Sequence, residues 1–202
     1  DIKDELVNTF KINTKNVFLQ PNGVKYDFFK NLYNNRLNNF GFVGRLDPIK
    51  NIPIIFKAFK KVSDHLKEWS LLIYGRGSEK EKLMNLREDL DLKEKIIFKG
   101  FKSNPKEIYS NISVFMISSF SEGISNSLLE AMAAGIPIIA SDVIGNKDII
   151  QHGVNGLLFD PNNVDELAKC MLLIQNFNAR EKLRRNAQID IKNKWLIIDE
   201  LS

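Results

Sequence analysis

The 202 residues carry 44% hydrophobic and 27% charged side chains with a formal charge of +4, an ordinary globular mix that excludes disorder, collagen-like repeats and coiled coil. One cysteine, Cys170, excludes a disulfide framework, and two histidines plus one thiol exclude a four-ligand structural zinc site. No apolar run approaches the ~20 residues that span a bilayer, and the positive excess is too small and too scattered to argue for nucleic acid.

Residues 1–15 mix charges with apolar side chains, so no signal peptide is predicted over that stretch. With the lone thiol, this makes the cytoplasm the expected location. A Lys-rich surface at the inner face of the cytoplasmic membrane is the alternative. The first elements read as a helix over 2–11, a strand over Val17–Leu19 and a turn at Pro21-Asn22-Gly23. Short apolar runs without polar alternation then recur at Phe40–Val43, Leu71–Tyr74, Ile96–Phe98, Val114–Ser118, Ile136–Ala140 and Gly156–Phe159. Strands buried on both faces look like this. Between them lie amphipathic stretches. In the first, Ile54, Ile55, Ala58, Phe59, Val62 and Leu66 share a helical face, with Lys57, Lys60, Lys61 and Asp64 opposite. Further helices are predicted over 79–90, 104–111, 127–134, 146–151, 163–176 and 179–194. Strand and helix alternate about six times, so the predicted fold is α/β, a doubly wound, Rossmann-like parallel sheet with helices on both faces. Trp195, Leu196, Ile197 and Ile198 gather large apolar groups at the C-terminal end, which suggests a neighbour that covers them.

Ligands of open α/β sheets bind beyond the carboxyl ends of the strands, so the segments after each strand are the candidates. After the first come Gly44, Arg45 and, just before a helix, Lys50. Two cations there make an anion site, unless Arg45 only pairs with Asp47 and Lys50 is solvated. After the second, Gly75-Arg76-Gly77-Ser78 permits close backbone approach. Lys80 stands where a dinucleotide fingerprint wants a third glycine, and Ser78 with Glu81 has capping-box spacing. Gly100-Phe101 after the third strand could lie against a flat ring. The fourth strand leads into Glu122-Gly123-Ile124-Ser125-Asn126-Ser127, a run of backbone amides at a helix start that suits phosphate. Glu130, one turn inside, could accept from two ribose hydroxyls. It could equally close a capping box with Ser127. Asp89-Leu90-Asp91 ends a helix and reads as a solvated turn, so no metal is assigned. Cys170 falls in register with core positions, His65 and His152 read as structural, and no Walker A sequence is present.

The order PNGV (21–24), GRLxxxK (44–50), GRG (75–77), FKGF (98–101), EGxxNSLLEAMAAGIPIIAS (122–141) and GxxDII…NGLLF (145–159) resembles the C-terminal, donor-binding half of family 4 glycosyltransferases over about residues 17–176. The resemblance implies a two-domain GT-B enzyme that retains anomeric configuration. It works without a metal or cofactor, since its nucleotide-diphosphate-sugar is a substrate, UDP being expected ahead of GDP. Arg45 and Lys50 would hold the diphosphate and stabilise the leaving group, with Glu122 beside the donor sugar as a third catalytic residue. Glu130 would hold the ribose. Amides from Gly123 to Ser127 would contact sugar and phosphate. The segment from Phe98 through Gly100 to Phe101 would flank the base, beside Gly44, Gly75 and Gly77. Ile124-Ser125-Asn126 replaces a frequent Gly-Phe-Gly, and Asp148 replaces a frequent Glu, which bears on the identity of the sugar. The resemblance also implies that residues 1–35 close a preceding acceptor-binding domain and its linker, that 36–178 form the donor domain, and that 179–202 cross back. These 202 residues alone are then expected to be inactive. The acceptor is expected to be a glycan or lipid-linked glycan of a surface polysaccharide, reached through that other domain, with peripheral membrane association. Competing readings are a nucleotide-sugar epimerase, a phosphorylase, or a non-catalytic nucleotide-binding module. A dinucleotide oxidoreductase is disfavoured by the missing third glycine and ribose acid.

Overall fold

The computed structural model describes residues 22–195; the helix predicted over 2–11, the strand over Val17–Leu19 and the tail beyond Trp195 lie outside them. The strands are β1 (Asn39–Val43), β2 (Ser70–Tyr74), β3 (Ile96–Gly100), β4 (Val114–Ile117), β5 (Ile138–Ser141) and β6 (Leu157–Phe159). All pair in parallel, in the order β3-β2-β1-β4-β5-β6. The order reverses between β1 and β4, so their carboxyl ends flank the switch-point crevice. β5 starts two residues later than its apolar run suggests, because Pro137 has no N–H for the ladder.

The helices are α1 (Tyr26–Phe29), α2 (Ile52–Val62), α3 (Lys80–Asp89), α4 (Pro105–Tyr109), α5 (Asn126–Ala133), α6 (Ile144–Lys147), α7 (Val164–Ile174) and α8 (Phe177–Lys194). One hydrophobic cluster joins α2, α3 and α7 to one face of the sheet, and a second joins α1, α4, α5 and the end of α8 to the other. In α2, Ile52, Ile54, Ile55, Phe56, Ala58, Phe59 and Val62 are buried while Lys57, Lys60 and Lys61 face solvent. Each large apolar side chain buried this way contributes roughly 1.5–3 kcal/mol.

Three local expectations are corrected. Neither Ser78–Glu81 nor Ser127–Glu130 forms a capping box: α3 starts after Glu79 and α5 after Ser125, and no side chain caps either. The helix predicted over 146–151 sits instead at Ile144–Lys147, and Ile149 and Ile150 beyond its end are both buried. Asn163 does cap α7, accepting from the amide of Glu166, although the Glu166 carboxylate turns to the amide of Asp160.

At the amino ends of β1 and β4 a polar clasp is buried. The Asn39 amide N–H donates to Ser113 Oγ (2.9 Å), the Ser113 N–H to Asn39 Oδ1 (2.9 Å), and Asn39 Nδ2 to the Asn111 carbonyl (2.8 Å). Asn39→Ala strands a buried donor and a carbonyl. We expect it to cost about 1–3 kcal/mol in urea unfolding; a smaller loss would mean water fills the clasp.

Candidate functional site

The loops that follow β1, β2 and β3 are stitched together. The Gly44 N–H donates to the Tyr74 carbonyl (3.1 Å), Leu46 to Arg76 (3.0 Å), Glu79 to Leu46 (2.8 Å) and Gly75 to Gly100 (2.9 Å). Gly75 has φ +143°, and a Cβ there would lie 1.8 Å from the Gly44 carbonyl, so no other residue fits. Between these loops opens a cavity of about 350 Å³, lined by Gly44, Arg45, Gly75, Arg76, Phe101 and Lys102, among others. The Arg76 guanidinium lies 5.1 Å from the centre of the Phe101 ring, a cation–π contact that makes a flat platform at the rim. No carboxylate lines this cavity.

Across the switch point, Lys50 Nζ, at the end of a tight turn over Pro48–Lys50, lies 2.6 Å from Glu122 Oε1 in the loop after β4. The two side chains are only 20% and 10% exposed. Lys50 is therefore paired rather than solvated. The neighbouring backbones join as well: Ser118 Oγ donates to the Lys50 carbonyl (2.7 Å) and the Phe120 N–H to the Ile49 carbonyl (2.9 Å). Ser119 Oγ donates to the same Glu122 oxygen (2.5 Å), Ser141 Oγ to the Ser119 carbonyl (2.7 Å), and Asn146 Nδ2 to Ser141 Oγ (3.1 Å). Gly145 seats directly on this loop, where a Cβ would come 1.9 Å from the Gly123 carbonyl. Gly123 itself faces open space. The amides at the uncapped start of α5 have no intrahelical acceptor and present the partial positive charge of a helix N-terminus.

Glu130, on the second turn of α5, is half-buried. Its Oε2 accepts from the Tyr109 hydroxyl at 2.7 Å, a contact that replaces the capping box. Burial pushes its carboxyl above the usual range, and the Tyr109 bond pulls partly the other way. With Asn126 it lines a second cavity of about 350 Å³, closed by Gly23, Val24, Phe28 and Phe29.

The predicted residues thus fall into three groups at the carboxyl edge. Gly44, Arg45, Gly75 and Phe101 share one cavity, Lys50 joins Glu122 beside Gly123, and Glu130 and Asn126 share another. Arg45 also makes the local pair with Asp47 (3.2 Å) and remains exposed. Gly100 takes φ +68° with open space around it. The Ile124 carbonyl accepts from Asn22 Nδ2 (2.7 Å), and Ser125 and Ser127 pair through their hydroxyls (3.1 Å). Gly77 and Phe98 also make packing contacts. Gly77 presses on the Leu46 backbone, and the Phe98 ring packs edge-on against Phe56 (6.2 Å) with the Arg87 guanidinium 5.6 Å away. Cys170 is buried in the core, its thiol pushed up to about 11 by burial. Among the described residues, no group of three or more His, Cys, Asp or Glu could hold a metal ion, and no helix is long and apolar enough to cross a membrane. Ser119, Ser141, Asn146 and Tyr109 were not singled out from the sequence. The one signal was Ser118-Ser119, polar residues at the end of an apolar run.

A doubly wound parallel sheet with cations, free amides and acids gathered at its switch point is a Rossmann-like domain. The chain belongs to the glycosyl transferases group 1 family, whose profile matches residues 24–190. It is 34% identical over 157 residues to an uncharacterized glycosyltransferase of Methanocaldococcus jannaschii, covering 76% of this chain and 40% of that protein. It is 26% identical over 212 residues to the UDP-Gal:alpha-D-GlcNAc-diphosphoundecaprenol alpha-1,3-galactosyltransferase of Escherichia coli, covering 98% and 54%. The crystal structure of a Staphylococcus aureus TarM mutant in complex with fondaparinux, alpha-GlcNAc-glycerol and UDP superposes with a TM-score of 0.82 at 26% identity, over 96% of this chain and 39% of that one. The C-terminal domain of the group 1 glycosyl transferase LpcC from Francisella tularensis gives a TM-score of 0.76 at 23% identity, over 87% of this chain and 100% of that one. The fold is that of the C-terminal half of a GT-B glycosyltransferase. The chain spans 40% and 54% of the length of the two curated relatives.

The Lys50–Glu122 pair is testable apart from any ligand. Lys50→Met leaves a nearly buried carboxylate without its cation and should cost about 1–3 kcal/mol, less than a fully buried pair would. Glu122→Gln on that background should recover part of the loss. Strictly additive unfolding energies would show that the pair is not coupled.

Proposed function

We propose that this chain is the donor-binding half of a retaining, metal-independent glycosyltransferase that moves a sugar from a UDP-sugar to a glycan or lipid-linked acceptor. The observation that carries the proposal is the meeting of Lys50, Glu122 and the uncapped start of α5 at the switch point, beside a cavity rimmed by Arg45, Arg76 and Phe101. As the sugar C–O bond breaks, negative charge accumulates on the departing diphosphate. Arg45, Lys50 and the α5 amides are positive groups that stabilise it, the part a divalent ion plays elsewhere. One hydrogen bond to a charged group is worth roughly 1.5–3 kcal/mol. Lys50 would turn from Glu122 to the diphosphate, while Ser119 goes on holding the Glu122 carboxylate beside the sugar.

Several observations support UDP as the donor nucleotide. UDP occupies the TarM complex, and the E. coli relative is named for UDP-Gal. Guanine presents a row of N–H donors that suits a carboxylate, and none lines the cavity; uracil has a single N–H, which one carbonyl satisfies. Retention is supported by the alpha-1,3 transfer that the E. coli relative's name prints, since an α product from an α-linked nucleotide sugar is net retention. No further cofactor enters this scheme. The acceptor is assigned to the part of the longer protein that these residues do not span. The diphosphoundecaprenol-linked sugar in the E. coli relative's name supports a lipid-linked acceptor.

Calorimetric titration tests the proposal. UDP should bind this chain more tightly than GDP, and equally well in the presence of a chelator. Arg45→Ala, Lys50→Ala and Glu130→Ala should each weaken UDP by roughly tenfold or more. Unchanged affinity in all three variants, or a demand for a divalent ion, would overturn it.

A further inference from the structure

We infer that Tyr109 is a positioning residue for Glu130: its hydroxyl engages one carboxylate oxygen and leaves the other to the ribose. The inference rests on the ribose-binding reading of Glu130 given above. Tyr109, the last residue of α4, is fully buried, and its ring is wedged edge-on by Phe29 (5.7 Å) and tilted against Phe115 (6.5 Å). The hydroxyl cannot swing away. It lies 2.7 Å from Glu130 Oε2 and 3.2 Å from the Ser127 carbonyl, one proton between two acceptors. With Glu130 ionised, the proton goes to the carboxylate, the stronger acceptor. With Glu130 protonated, the carboxyl O–H can donate to the tyrosine oxygen while the tyrosine proton turns to Ser127. The phenol stays protonated throughout, because burial and the adjacent carboxylate hold its pKa well above the usual value.

Two features separate this from ordinary core packing. The contact uses Oε2 alone; among the described residues Oε1 makes no hydrogen bond, and the side chain borders an open cavity rather than closed core. The local alternative is also unused, since the Ser127 hydroxyl turns to Ser125. A two-oxygen acid that must accept from two vicinal hydroxyls needs its plane fixed, and a buried phenol on a neighbouring helix does this without occupying the ligand's side. Lys25, from the segment before α1, lines the same cavity, and Lys106 of α4 lies against Phe28 at its wall.

The test compares UDP with a dideoxy-UDP that lacks both ribose hydroxyls, by calorimetry across pH on the 202-residue chain. The ratio of the two affinities cancels the titration of the diphosphate. The unaltered chain should prefer UDP, and Glu130→Ala should remove the preference. Tyr109→Phe should lower it by roughly three- to tenfold while leaving dideoxy-UDP affinity unchanged. Removing the tyrosine bond raises the Glu130 carboxyl further, so the preference should also fade at a higher pH in Tyr109→Phe than in the unaltered chain. If Glu130→Ala keeps the preference, the ribose reading fails and the inference with it. If Glu130→Ala loses it while Tyr109→Phe keeps both its size and its pH midpoint, Tyr109 only packs and the inference alone is overturned. Should Tyr109→Phe lose both ligands together, Tyr109→His, which keeps a ring donor, decides. A restored preference supports positioning, and a folded variant that binds both nucleotides equally overturns it.

Discussion

The junction between β1 and β4 is the constraint on which the rest depends. Among the described strands the winding reverses there, so no crossover helix covers its carboxyl edge and the crevice stays open. It is also clasped at both ends, by Asn39 with Ser113 below and by Lys50 with Glu122 above. An ion pair this far from water gains little net stability unless other hydrogen bonds complete it. Here Ser119 supplies one and the Ser118–Lys50 bond fixes the backbone behind it. In the proposed function Lys50 would exchange this carboxylate for a diphosphate. A diphosphate would bring more charge than the carboxylate, and Glu122 would keep the Ser119 hydroxyl as a partner.

Around this junction the chain brings backbones unusually close, which leaves the side chains that remain free to face the ligand. Gly75 and Gly145 are the closest of these contact points, each on a carbonyl of a neighbouring site loop. The first seals the loops after β1 and β2 into one wall, and the second sets the loop that carries Glu122 against the start of α6. The acid on α5 is set differently, by a buried phenol from α4. Rigid elements therefore hold Lys50, Glu122 and Glu130, while the exposed Arg45, Phe101 and Gly123 stand where a ligand can reach them.

Much of this was legible in the sequence because burial on both faces leaves short, unmixed apolar runs. All six strands lie at or within two residues of those runs, and the amphipathic stretches became α2, α3, α5, α7 and α8. Lys50, Glu122 and Glu130 could be nominated because the carboxyl edge of such a sheet is where ligands bind. What the sequence hid were contacts between distant segments. Nothing near Glu130 announces Tyr109, 21 residues earlier. Ser127-x-x-Glu130 has capping-box spacing, but a nearby phenol offers the carboxylate a better donor. Phe98 and Phe101 look alike in sequence, yet three residues along β3 and its loop send one ring into the core and the other to the rim. α1 went unpredicted because four residues carry no periodicity, and its place is set by Phe29 packing on Tyr109.

The most direct measurement is amide-resolved NMR of the isotopically labelled chain titrated with UDP. The account predicts that shifts concentrate on 44–50, 75–76, 100–102 and 122–130, together on one binding curve. Shifts gathered at the opposite edge of the sheet, around Asn39 and Ser113, or split into independent curves for the β1 and β4 loops, would contradict the claim that one ligand bridges the switch point.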